Sequence, residues 1–111
     1  MLERTHFDRW TCPTQKAVEV IGDRWTLFIL REFIFGKQSM GFNELLRALK
    51  PISSRTLALK LKKLQNSKLI SRRKIQEKPL KVAYTITEQG LALKSSLTAL
   101  AVWYNQHQKL R

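Results

Sequence analysis

The feature that most restricts this chain lies between Phe42 and Asn66. Two apolar stripes at helical spacing, Phe42-Leu45-Leu46-Leu49 and Leu57-Leu61-Leu64, are separated by little more than Lys50-Pro51-Ile52. Pro51 ends the first helix, and Ser53 supplies an N-cap for the second, which runs to about Asn66. Helices joined this closely bury both stripes only by folding across one another, as in a helix-turn-helix over 42–66. The apolar period then changes. Leu69 to Gln76 and Lys81 to Thr87 are rich in β-branched and aromatic residues, with Pro79 between them. This predicts a hairpin over 69–87. A helix-turn-helix followed directly by a hairpin is a winged helix.

The flanking segments are helical. Pro13 with Ala17, Val18, Val20 and Ile21 predicts a helix over 13–21, Pro being tolerated in the first turn. Gly22-Asp23 ends it, and Asp23 caps a second helix from about Arg24 to Phe35. That helix is apolar almost all round, which predicts a place at the centre of the core, and Gly36 terminates it. Ser39-Met40-Gly41 is a brief connector with room for a short strand. Thr87 caps a long final helix over 88–109. The expected class is mainly α with a small β-hairpin (α+β), in one domain over 1–111.

Composition narrows the function classes. The chain has 111 residues, 43% of them hydrophobic, enough for a core rather than a disordered basic tail. Cys12 is the lone cysteine, which excludes a disulfide framework. No apolar run reaches the roughly 20 residues that span a bilayer, and Met1 to His6 lacks the apolar block of a signal peptide. A soluble, cytoplasmic protein with no membrane partner is expected. The net charge is +13, and its distribution is uneven. Lys50 to Lys81 holds eleven cations and one acid, Glu77, for +10, whereas the other 79 residues carry +3. A solvated face normally interleaves both signs, so this segregation points to an anionic partner, with double-stranded DNA first.

At 100° per residue, with Leu57 facing the core, Arg55, Leu59, Lys62 and Asn66 fall on the opposite side of the fourth helix, flanked by Ala58 and Lys63. Arginine can donate two bonds to guanine, and the exposed Leu59 and Ala58 suit thymine methyls. Asn66 is either a base contact or a terminal cap. Ser53 and Ser54 begin the helix, where hydroxyls and N–H groups hold phosphate; for Ser53 plain capping is the competing role. The hairpin adds Arg72, Arg73, Lys74, Lys78 and Lys81, a basic wing suited to phosphate or minor-groove contact.

With these residues placed, the chain resembles the HxlR-type family of winged helix-turn-helix transcriptional regulators. The resemblance rests on Cys12-Pro13 through Val20-Ile21-Gly22-Asp23-Arg24-Trp25, on Phe42-Asn43-Glu44-Leu45, and on Ile52-Ser53 with Leu57, Leu61, Leu64 and Leu69-Ile70. It continues through Val82-Ala83-Tyr84, Ile86-Thr87 and Gly90. Lys68 stands where family members usually place the glycine ending the recognition helix. Lys50-Pro51 replaces the usual glycine before Ile-Ser, and Thr14 a common aliphatic. The resemblance implies a homodimer on an inverted repeat near a promoter, and a cysteine at the position of Cys12 that senses oxidants or electrophiles in several members.

The final helix favours a dimer independently. Leu93, Leu97, Leu100, Ala101 and Tyr104 form a stripe that packs on the domain, leaving Ala92, Ala99 and Trp103 as a second apolar face. These three and Val18 are expected at the interface. The competing account is a wider core that includes Leu2, Phe7 or Trp10. Cys12 sits at a helix start near Arg9 and Lys16, a setting that favours a reactive thiolate; an inert packed thiol is the alternative. His6 and His107 show no metal-ligand spacing with Cys12, so no metal or cofactor is expected. No catalytic residues are expected either, since Cys12 lacks a suitably spaced base and no phosphate-cradling glycine loop exists. An oxidant or small-molecule effector remains open. The alternative to duplex DNA is RNA or ribosome association, which would be favoured by aromatics on an open sheet face, but the hairpin offers essentially Tyr84.

Overall fold

A computed structural model describes residues 12–108. The elements are α1 (Pro13–Ile21), α2 (Arg24–Phe35), β1 (Ser39–Gly41), α3 (Phe42–Ala48), α4 (Ser54–Asn66), β2 (Ile70–Gln76), β3 (Lys81–Ile86), α5 (Glu88–Leu91) and α6 (Lys94–Trp103), ending in a π-helical turn over Tyr104–Gln108. The fold is mainly α with a small antiparallel sheet, as the sequence implies. The expected roles of Leu2, Phe7, Trp10 and His6, and the end of the final helix at Lys109, lie outside the described residues.

The helix starts follow local chemistry. Asp23 accepts the Thr26 N–H at 3.0 Å, Ser53 accepts the Thr56 N–H at 3.0 Å, and Thr87 accepts the Gly90 N–H at 3.0 Å. Each satisfies a backbone donor that the first helical turn leaves without a partner. In α3 the Glu44 carboxylate performs this task from inside the helix, accepting the Gly41 N–H at 3.3 Å while pairing with Lys37. The Lys37 bond holds its carboxyl below the ordinary value.

The core is contiguous. Ile29, Leu30 and Phe33 of α2 pack with Leu45 of α3, Leu57, Leu61 and Leu64 of α4, and Ile70, Tyr84 and Ile86 of the sheet. Each large apolar side chain so enclosed contributes about 1.5–3 kcal/mol. Thr26 is the buried polar residue among those described, and Asp23 accepts its hydroxyl.

The strand order is β1-β3-β2, so Ser39-Met40-Gly41 does form a strand, pairing with β3 through Met40 opposite Tyr84. In the hairpin Ile70 faces Ile86, Arg72 faces Tyr84, Arg73 faces Ala83 and Lys74 faces Val82, with a register irregularity between Lys74 and Gln76. Because side chains alternate across a sheet, Arg72 and Lys74 share the Tyr84 face, and Arg73 takes the other.

The helices depart from expectation at two places. The final helical stretch is not continuous: α5 ends at Leu91, and Leu93 N–H turns back to the Gly90 carbonyl at 3.1 Å before α6 begins. Within α5, Gly90 sits so close to the entry of β2 that a Cβ would lie 2.4 Å from the Leu69 carbonyl oxygen. This seating fixes α5 against the sheet, and α6 leaves the body. Only Leu93 and Leu97 of the expected packing stripe reach the core, while Leu100 and Tyr104 are more than half exposed. The second departure is α2, which is not enclosed all round. Phe35 is 52% exposed, and Leu27 and Phe28 are half-buried.

Between α4 and β2 the chain turns through Lys68 at φ +65°, the left-handed region. Leu69 N–H bonds to the Leu64 carbonyl at 3.0 Å and Lys68 N–H to the Gln65 carbonyl at 2.9 Å, which together make a Schellman motif. Thr87 ties the turn from outside: its hydroxyl donates to the Lys68 carbonyl at 2.8 Å and its N–H to the Leu69 carbonyl at 3.0 Å.

Candidate nucleic-acid interface

Helix α4 is held by its Leu57, Leu61 and Leu64 face, and the opposite face stands in solvent. Arg55, Ala58, Leu59, Lys62 and Asn66 are all exposed, Leu59 by 62%. A leucine so placed on a polar helix contributes nothing to this fold's core. Ser54 is exposed at the helix start. Ser53 is exposed too, but its oxygen accepts from Thr56 and its proton goes to the Thr56 hydroxyl at 3.0 Å, so capping occupies it. Asn66 is the last helical residue and makes no cap bond; Ser67 occupies the C-cap position.

Lys63 departs from the expectation that it joins the outward face. Its ammonium lies 3.7 Å from the Asp23 carboxylate, and Lys60 lies 3.4 Å from the same group. The sequence predicts only a capping role for Asp23. In the folded protein it also bridges the start of α2 to the flank of α4 and takes two lysines out of the free basic surface. Partial burial pushes the Asp23 carboxyl up, but the Thr26 hydroxyl and N–H and the Lys60 ammonium outweigh it, bringing it down to about 2.

Residues 71–80 are exposed throughout, so Arg72, Arg73, Lys74 and Lys78 are all accessible, as is Lys81. Arg72 is the residue that joins wing to helix. With Tyr84 it faces Ala58, Lys62, Gln65 and Asn66 across a groove of about 350 Å³. Arg73 points away from this groove, and Lys74 pairs with Glu77 at 2.8 Å. Tyr84 is 8% exposed, packing on the helices. Sequence reasoning missed Ile75 and Leu80, each 60% exposed near the wing tip, because the run of cations dominates that segment.

The remaining exposed apolar surface lies on the far helices. No residue of α1 or α6 is buried, and Val18, Ala92, Ala99 and Trp103 are exposed, Val18 by 58% and Trp103 by 52%. Leu27, Phe28 and Phe35 of α2 with Leu97, Leu100 and Ala101 of α6 line an almost wholly apolar groove of about 560 Å³. Cys12 is buried at the start of α1, where its carbonyl accepts the Lys16 N–H at 3.1 Å. His107 is exposed on the terminal turn. Among the described residues no helix is long and apolar enough to cross a membrane.

Comparison with known proteins agrees with this geometry. The HxlR-like helix-turn-helix family profile matches residues 20–111. The HTH-type transcriptional regulator YodB of Bacillus subtilis is 32% identical over 96 residues, covering 86% of this chain and 84% of YodB. The reduced form of YodB superposes with a TM-score of 0.76, covering 86% of this chain and 93% of that one. The redox regulator HypR in its reduced form gives a TM-score of 0.78 at 28% identity, covering 87% and 94%. The chain is a transcriptional regulator that belongs to the HxlR-like helix-turn-helix family.

Proposed function

We propose that this regulator acts in the cytoplasm as a homodimer that binds an inverted-repeat operator in duplex DNA, with α4 in the major groove and the β2–β3 wing on the flanking backbone. The observation that carries this reading is the outward face of α4, where Arg55, Lys62 and the exposed Leu59 stand beside Arg72 of the wing. Arg55 and Lys62 fit base edges or phosphates, Leu59 and Ala58 fit thymine methyls, and Ser54 fits a phosphate at the helix start. The wing cations contact backbone. The exposed apolar residues of α1 and α6, with the α2–α6 groove, support pairing of two protomers, and a symmetric site asks for a symmetric protein.

Cys12 is the residue through which an oxidant or electrophile acts in this reading. The likeness to a redox regulator supports it, whereas the burial of the thiol favours the packed, inert alternative. Because Cys12 is alone, its oxidised products are a sulfenic acid, a mixed disulfide or a disulfide between protomers. RNA association gains no support, since Tyr84 is buried and offers no open ring for base stacking.

Selection of bound duplexes from a random pool, with and without diamide, tests the whole reading. A palindromic preference that is lost on oxidation, and retained by Cys12→Ser, is the expected result. Equal enrichment of all sequences refutes operator recognition. Oxidative release that persists in Cys12→Ser refutes the thiol switch alone.

A further inference from the structure

A second concavity, of about 300 Å³, lies between α2 and the turn that joins α3 to α4. Trp25 and Phe28 form its aromatic side, meeting edge to face with centroids 5.8 Å apart and an interplanar angle of 87°. A guanidinium lies over each ring, Arg24 at 5.4 Å from the Trp25 centroid and Arg31 at 4.6 Å from that of Phe28. Ala48, Lys50 and Pro51 close the opposite side, over the buried Leu49. No carboxylate lines the cavity. Of the ion pairs among the described residues, Arg31 has one, with Glu32 at 3.3 Å, and none involves Arg24 or Lys50.

Three cations around one small concavity repel one another, and the rings beneath them are half-buried rather than sealed in the core. A ligand that relieves both conditions carries a negative charge and a flat apolar face. The volume stands at the small end of ligand sites, enough for one or two rings. We propose that this cavity binds a small aromatic carboxylate, its ring against Trp25 and Phe28 and its carboxylate between Arg24 and Lys50. A phosphodiester of DNA would use the cations but not the half-buried ring surfaces beside them. The turn bearing Lys50 runs straight into Ile52 and the Ser53 cap of α4, so the bound molecule would touch the segment that sets the start of that helix. The proposal stands whether or not α4 reads DNA.

Benzoate titrated into the full chain, followed in amide and indole N–H spectra, tests it, with neutral benzamide as the control. Saturable shifts centred on the Trp25 indole and the Leu49 and Lys50 amides are expected, with a dissociation constant on the order of 1 mM. Benzamide should bind about tenfold more weakly or worse, because it keeps the ring and lacks the charge. The double variant Arg24→Gln, Lys50→Gln alters exposed side chains, so the rest of its spectrum should be unchanged while benzoate binding falls about tenfold or more. Equal binding of benzoate and benzamide, undiminished binding to the variant, or no saturation well above that range each overturns the proposal. If benzoate fails to bind and the variant weakens duplex binding uniformly across sequences with a shallower salt slope, the cavity is a phosphate contact instead.

Discussion

Lys68 offers the sharpest test of how this fold is held. It adopts φ +65° in a turn fixed on three sides, by the Leu69 and Lys68 bonds back to α4 and by the Thr87 hydroxyl. A residue with a Cβ in that region costs roughly 1–2 kcal/mol. Glycine removes the cost but adds about 0.4–1 kcal/mol of freedom to the unfolded chain. Lys68→Gly should therefore stabilise the protein by about 0.5–1 kcal/mol, which at about 4–8 °C per kcal/mol raises the melting midpoint by about 2–8 °C. Lys68→Ala keeps the left-handed penalty and removes the charge, so its midpoint should stay near that of the parent. Thermal and urea unfolding of the three proteins at matched concentration decide the matter. A glycine variant no more stable than the alanine variant would refute the idea that backbone conformation, rather than charge, is what Lys68 costs this fold.

Other consequences follow from the same contacts. Asp23 has a folded-state value of about 2 against an ordinary 3.8, so its contribution is complete above about pH 4 and disappears as pH falls toward 2. With the side chain a third exposed, screening leaves that contribution at about 1 kcal/mol. Asp23→Asn keeps the cap and should lose both this stability near pH 6 and most of the acid dependence, read by urea midpoints across that range. Leu59→Ser should alter the preferred operator while leaving the melting midpoint within about 0.5 kcal/mol of the parent, since the side chain is already in solvent. Arg55→Ala should cost about 1–3 kcal/mol on a preferred duplex if it reads a guanine, measured as the change in dissociation constant at fixed salt. If the proposed homodimer forms through this face, Trp103→Glu should shift sedimentation from dimer toward monomer with the fold retained; an unchanged dimer places the interface elsewhere, and a monomeric parent refutes the dimer.

Much of the architecture is written in local signals. Pro13, the Gly22-Asp23 pair and Gly36 bound the first two helices, Pro51 follows α3 and Ser53 starts α4, because each acts on backbone groups within a turn of itself. The hairpin is legible from its β-branched residues and Pro79. What escapes the sequence depends on distant surfaces. Apolar residues recur at helical spacing straight through the break between α5 and α6, and the close approach of Gly90 to Leu69 that seats α5 involves a distant element. The loss of Lys63 from the outward face is equally invisible, since a helical wheel knows nothing of Asp23 on another element. The open edge of α2 follows from what fails to cover it, as α6 turns away. The groove that joins Arg72 to Lys62 requires the strand register, which the alternation of residues alone does not fix.

Strand β2 is the outermost strand of its sheet, paired with β3 on one side alone, and it carries Arg72, Arg73 and Lys74 in succession. An unpaired strand edge recruits other strands, and cationic side chains are one means of preventing it. The wing residues thus guard against self-association as well as facing outward. Stripping them to alanine would leave Ile75 and Leu80 on a neutral, open edge, so a loss of DNA binding in such a variant would be confounded by aggregation. Reversal to glutamate removes the attraction for phosphate and keeps the edges apart. It is the cleaner way to measure what the wing contributes to the proposed DNA binding, because it separates attraction for phosphate from protection of the strand edge.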